Sequence, residues 1–304
     1  MNMISGLLLA AILAVPSSAA APPAAKTFDT AKHAADALVE AVGKDDVDGL
    51  IAILGPEGKK IVDSGDDVRD KNDRARFTEL AKTKLEVVTN KAKPTRATVK
   101  IGADGWPFPV PLVQSGGKWH FESKEGAREV LYRRIGQNEL DAIQICHGYV
   151  EAQQEYSSES HDGTGLRQYA QKIIATAGKK DGLAWRDADG KPAGPIGENV
   201  AAAIAEGYTK KGQYHGYYYR ILTGQGPAAH GGATDFVIQG KMLGGFALVA
   251  WPAEYRNTGV KTFIVNHDDV VYEKDLGKDT EKLAAEMKLF NPDKTWHKVS
   301  DSDQ

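Results

Sequence analysis

The apolar residues of this chain change their spacing part-way along, and that change limits the folds open to it. From Thr27 they recur every three or four positions, with Ala31, Ala34, Ala35, Leu38 and Val42 on one stripe after a capping Asp29 or Thr30 and before Gly43. A second helix is predicted from Asp46 to Leu54, stopped by Gly55-Pro56, and a third from Asp73 to Val88. The run 63–73 between them reads as a solvated polar loop. Then the period becomes two. Ala97, Val99 and Ile101 alternate with polar neighbours, and 107–113 and 118–122 flank Ser115-Gly116-Gly117 as a hairpin. Pro107, Pro109 and Pro111 remove every second backbone donor, which places that strand at a sheet edge or makes it partly irregular. Helices followed by strands predict an α+β fold, with a small helix-plus-curved-sheet domain over residues 27–136.

The second half repeats the order. Residues 125–157 are predicted as one helix broken near Gly136, or two in succession. Its later part carries Ala142, Ile143, Cys146, Tyr149, Val150 and Tyr156 on one face. A Gly-rich stretch 157–200 and a short helix, Asn199 to Tyr208, precede five strand-like runs: 214–223, 235–239, 241–251, 261–266 and 270–274. These predict an antiparallel meander in a C-terminal α+β domain over 137–298, closed by a helix from Asp279 to Phe290 and a tail 299–304.

Met3 to Val15 is uncharged and too short to span a membrane, which takes about 20 apolar residues. Small residues follow at Ser17 to Ala21, so 1–20 reads as a signal peptide cut after Ala19 or Ala20, with 21–26 as linker. Pro22 disfavours a cut after Ala21, and no cysteine near the site offers a lipid anchor. The expected destination is the periplasm or the exterior. With 38 Lys+Arg against 41 Asp+Glu, no basic excess points to nucleic acid. One cysteine excludes an internal disulfide framework.

The usual catalytic signatures are missing. Gly-x-Ser-x-Gly, His-Glu-x-x-His and the phosphate loop do not occur. Asp187-Ala188-Asp189-Gly190 fails as a calcium loop, because Trp185 and Ile196 would fall on the first and twelfth ligand positions. Cys146 and His147 diverge by about 100° on a helix, so a buried thiol is expected. His33, His120, His161, His267 and His297 show no ligand spacing, and no metal or cofactor is assigned.

The strand from Tyr214 is the best candidate surface. Alternation puts His215, Tyr217, Tyr219 and Ile221 on one face and Tyr218, Arg220 and Leu222 on the other. Core aromatic packing accounts for three consecutive tyrosines. The sharper reading is an aromatic-lined groove with His215 and Arg220 as polar contacts, its binding residues Tyr217, Tyr219, Arg220, Gln225, His230 and Trp251, for an envelope glycan, a peptide or another envelope protein. His215 and Glu254 are weak catalytic candidates. Asp235 and Glu273, on neighbouring strands of the meander, are the carboxylates that would pair with Glu254 in a glycosidase.

Several phrases resemble the bacterial envelope family catalogued as domain of unknown function 2950. They are Trp106-Pro107-Phe108-Pro109, Arg133-Arg134-Ile135-Gly136 with Asn138-Glu139, 214–222, 225–229, 251–255 and 262–266. His267-Asp268-Asp269 stands where that family suggests Gln-Asp-Gly, which bears on the tightness of one hairpin. The resemblance covers nearly the whole mature chain. It implies export and a two-part architecture, and it implies no activity. The C-terminal part is also similar to pilin-like globular domains. Arg133 and Arg134 stand where assembled pilins need a long apolar helix, so filament assembly is not implied. A non-catalytic binding or accessory role leads; a cell-wall-directed hydrolase and a pilus- or secretion-associated subunit are the alternatives.

Overall fold

A computed structural model describes residues 24–199 and 213–300. The predicted signal peptide, the first half of the linker, most of the helix expected at Asn199 to Tyr208 and the last residues of the tail lie outside the described residues. Helix α1 (Ala31–Gly43) starts where Thr30 accepts a hydrogen bond from the His33 amide at 3.0 Å. Asp46 caps α2 (Val47–Leu54) in the same way, and the short α3 (Gly58–Val62) follows. Helix α4 spans Asp67–Thr83, so it begins within the run read as a loop and stops before the predicted Val88. The cause is local: Asp66 accepts from the Arg69 amide, and acidic Asp67 and Asp70 sit in the first turn where the helix dipole favours them.

Residues 85–88, predicted as helix, instead open the first sheet. Strands β1 (Leu85–Asn90), β2 (Lys93–Ile101), β4 (Leu112–Ser115) and β5 (Lys118–Phe121) lie in that order, all antiparallel. The two-residue β3 (Trp106–Pro107) pairs with the end of β2. The predicted hairpin forms at Gly116-Gly117, both with positive φ (57° and 78°). Helices α1 and α2 cover one sheet face, burying Leu38, Leu50, Ile53 and Leu54 against Val99, Ile101, Leu112 and Phe121.

Helix α5 (Ser123–Tyr156) is unbroken over 34 residues and continues through Gly136. The stripe from Ala142 to Tyr156 is buried in a second, separate core. Small ribbons β6 (Trp185–Arg186) and β7 (Pro192–Ala193) pair in the Gly-rich stretch. The main C-terminal sheet orders β8 (Tyr217–Leu222), β13 (Ala247–Pro252), β14 (Thr262–Asn266), β15 (Tyr272–Lys274) and β17 (His297–Lys298), antiparallel throughout. It is a meander with one excursion. Between β8 and β13 the chain makes β9 (Gly224–Gln225), β10 (Thr234–Asp235), β11 (Val237–Ile238) and β12 (Lys241–Met242). The runs 235–239 and 241–251 are therefore each split, the second where Gly244 and Gly245 (φ 136°) turn the chain. Asp235 thus sits on β10, outside the main sheet, and is no neighbour of Glu273 on β15.

Every residue of β13 and β14 is buried, which requires cover on both faces. Helix α5 covers one face. The short α6 (Thr280–Glu286) packs against β13, and Arg220 on β8 reaches its carboxyl end. The predicted helix to Phe290 ends early because Met287 turns extended, and β16 (Leu289–Phe290) then pairs in parallel with β9. The α+β reading holds.

Candidate functional site

The tyrosine-rich strand begins three residues later than its alternation suggests. Tyr214 and Tyr217 exchange both backbone hydrogen bonds (2.8 and 3.1 Å), and His215 and Gly216 between them have φ of 50° and 75°. Two positive φ values in a two-residue loop make a tight hairpin turn. His215 therefore leaves the strand face shared by Tyr217 and Tyr219 and stands at the tip of a turn. From there its Nδ1 meets Asp141 Oδ2 of α5 at 2.6 Å. Gly216 lets the turn approach closely: a Cβ there would lie 2.4 Å from Asn138 Nδ2.

Asp141 gathers the neighbouring elements. Its carboxylate also accepts from Gln137 Nε2 at 2.8 Å and lies 3.5 Å from Arg69 Nη1 of α4. Burial alone would raise its pKa. The bonds from His215 and Gln137 and the nearby charges outweigh burial and hold it below the ordinary carboxylate range. Asn138, one turn earlier and buried, accepts from Arg69 and donates to Thr258 O at 2.8 Å. An imidazole, a guanidinium and a carboxylate thus share one locus, and the carboxylate fixes which ring nitrogen of His215 faces it.

Glu254 lies beside this locus. The amide of Ala253 donates to Gly216 O at 2.9 Å, which ties its loop to the histidine turn. Asn257 Nδ2 donates to Glu254 Oε2 (2.8 Å) and to Ser64 O (3.0 Å), while its Oδ1 accepts from Arg134 Nη1 (3.1 Å). Arg134 Nη2 also donates to Lys60 O at 3.2 Å. Burial lowers the Arg134 pKa, and Asp70 opposes that shift; burial raises Asp70, against hydrogen bonds from Ser64. Glu139 accepts from the amides of Val260 and Lys261 (2.9 and 3.0 Å). Residues of α4, mid-α5, the 214–217 turn and the 253–261 loop therefore form one polar junction between the two cores. It draws together three of the phrases that carry the family resemblance: Arg134 with Asn138-Glu139, His215-Gly216 and Ala253-Glu254.

A family model described as Protein of unknown function (DUF2950) matches residues 25–299. The chain belongs to that family. No curated protein and no solved structure matches it, so the likeness to pilin-like domains gains no support.

The other residues of the expected groove are placed differently in this DUF2950 protein. Tyr217 is wholly buried and its hydroxyl donates to Lys261 O at 2.9 Å. Burial pushes the phenols of Tyr217 and Tyr219 well above their usual pKa. The Tyr219 hydroxyl and Trp251 Nε1 are buried without a hydrogen-bond partner among the described residues. Arg220 donates to Ala284 O (2.7 Å) and to Met287 O, closing the carboxyl end of α6. Gln225 Nε2 donates to His230 O and Gly232 O (2.9 and 2.8 Å), folding the Gly-rich loop on itself. His230 is 91% exposed, 3.5 Å from Asp268. Tyr217 and Tyr219 on one side and Arg220 on the other divide between the two faces of the sheet.

Cys146 is fully buried, and burial pushes its thiol up to about 12, so it stays protonated near neutral pH. His147 turns instead to Asp269, 2.7 Å away. The β14–β15 hairpin is tight despite His267-Asp268-Asp269: the Asp269 amide donates to Asn266 O at 3.0 Å and Asp269 takes φ 58°. Among the described residues no three His, Cys, Asp or Glu side chains are arranged to hold a metal ion, and no helix is long and apolar enough to cross a membrane. Sequence reasoning singled out His215 and Glu254 and missed Arg69, Asp141 and Asn257. The phrase from Arg133 to Glu139 was the one signal that pointed to this part of α5.

Proposed function

We propose that this protein is an exported factor of the bacterial envelope, periplasmic in location, that binds an envelope component rather than turning one over. One observation carries the reading. The acid–base groups at the junction bond to other residues of the chain: Asp141 to His215 and Gln137, Glu254 to Asn257, and Arg134 to Asn257 and Lys60 O. Such a network supports the fixed placement of two cores, a use suited to a scaffold that presents a surface. The uncharged run at Met3 to Val15 and the small residues after it support export.

A second reading is favoured by the Asp141–His215 pair. A carboxylate that orients an imidazole is the arrangement general-base hydrolysis uses, and Glu254 lies on the adjoining loop. One experiment separates the two. Mature protein is incubated with purified cell-wall sacculi, and both co-sedimentation and soluble fragments are measured. Binding without fragment release is expected. Release that disappears in His215→Ala or Glu254→Gln, with circular dichroism unchanged, would establish the hydrolase instead. Fractionation of expressing cells and the mass of the mature chain test export, with a new amino terminus at Ala20 or Ala21 expected.

A further inference from the structure

The first half of α5 borders a groove that the junction does not use. The groove arises from the proline spacing. Strand β3 pairs at 106–107, the Phe108 amide still donates to Val99 O at 2.8 Å, and β4 resumes at Leu112, so only residues 109–111 interrupt the pairing with β2. Gly126 then brings α5 against Val110: a Cβ there would lie 2.6 Å from the valine side chain. What remains open is a space of about 380 Å³ between the outward face of β2, the proline segment and α5.

Its walls have a definite chemistry. Phe108, Pro109 and Pro111 form an apolar floor, and neither proline has an amide donor. Successive turns of α5 contribute Glu125, Arg128, Glu129, Tyr132 and Arg133, the i, i+3, i+4, i+7, i+8 set of one helical face. Arg96 of β2 pairs with Glu125 at 2.5 Å and Arg133 with Glu129 at 2.7 Å. Both carboxylates are thereby matched. Arg128, exposed between them, makes no hydrogen bond or ion pair among the described residues, though its charge adds to that of Arg96 in lowering the Glu125 pKa. Three guanidiniums against two carboxylates leave the groove cationic on a chain whose net charge is -3. Tyr132 is 67% exposed and Trp106 42%, with the Arg133 guanidinium 5.6 Å from the Trp106 ring.

We propose that this groove binds an extended acidic peptide segment, a carboxylate of it meeting Arg128 and its apolar parts lying on Phe108, Pro109 and Tyr132. The inference deepens the binding reading above and rests on it. Charge complementarity selects an anion, since guanidinium forks match carboxylates. The floor favours a peptide over a sugar. Proline and phenylalanine offer flat apolar contact to an extended chain, whereas a hydroxyl-rich ligand needs free polar groups and both acidic groups here are already paired.

The test is fluorescence anisotropy with the mature protein and a labelled peptide of alternating Glu and Pro residues, beside its Gln-Pro counterpart. The acidic peptide should bind and the neutral one bind on the order of tenfold more weakly, the loss expected for charge-assisted bonds. Binding should weaken as salt is raised. Arg128→Glu and Tyr132→Ala, both at exposed positions, should each weaken binding about tenfold with circular dichroism unchanged. Failure of the acidic peptide to bind, equal binding of the two peptides, or unchanged affinity in both variants would overturn the assignment. So would tighter binding of an oligogalacturonate, which would mark an acidic glycan site. Sacculus binding is read separately, so these outcomes remove the groove assignment alone, whereas loss of sacculus binding removes the broader reading.

Discussion

Asp141 carries opposing influences at a single side chain, and its pH behaviour follows from which of them prevails. It is only 15% exposed, yet its folded pKa lies below the ordinary value because His215, Gln137 and Arg69 stabilise the charged form. A depressed pKa means stability that is complete above the unfolded value of about 3.9 and lost as pH falls through the folded one. Asp141→Asn should therefore lower unfolding stability by about 1–3 kcal/mol near neutral pH, the cost of weakened charged hydrogen bonds. The gap to the native protein should close in acid. Urea unfolding at several pH values measures it, and a gap that stays constant down to acid would remove Asp141 from this role. Asp70 runs the other way: burial raises its pKa, so its charged form costs stability at neutral pH and that cost is relieved as pH falls.

At the scale of elements, α5 shows how a weak local signal yields to packing. Gly136 predicts a break, since glycine costs about 1 kcal/mol against alanine in a helix interior. The helix continues because Gly126 and Ala127 are buried on one side of that point and the stripe Asn138, Ala142, Cys146, Tyr149 and Tyr156 on the other. A Cβ at Gly136 would meet nothing within 4 Å. Gly136→Ala should accordingly stabilise the protein by about 0.5–1 kcal/mol, read as a higher thermal midpoint. Gly216→Ala should do the reverse and destabilise by more than about 1 kcal/mol, because the site needs φ 75° and a Cβ would strike Asn138. If both variants shifted the midpoint the same way, the account of the two glycines would fail. The 63–73 run makes the same point. Its charges suggest a solvated loop, yet Asp66 is a helix cap and is buried with Ser64 beside the 253–261 loop.

Across the whole molecule, two hydrophobic cores are joined by one helix and one polar junction. Arg134 links α3 and the 253–261 loop through Lys60 O and Asn257. Arg134→Met removes both bonds and leaves Asn257 without its donor. Calorimetry of this variant should resolve two unfolding transitions, or a van't Hoff enthalpy well below the calorimetric one, where the native protein shows tighter coupling. A single two-state transition merely shifted in temperature would mean that α5 alone couples the cores.

The sequence by itself determined the α+β class, the Gly116-Gly117 hairpin, the buried face of α5 and the burial of Cys146, because periodicity, capping and turn chemistry act over a few residues. Only the tertiary structure decided the junction and the groove. Arg69 meets Asn138 across 69 positions, His215 meets Asp141 across 74 and Arg134 meets Asn257 across 123. Bonds of this kind form over about 3 Å and depend on direction, so they exist only once helices and turns have brought distant residues into register.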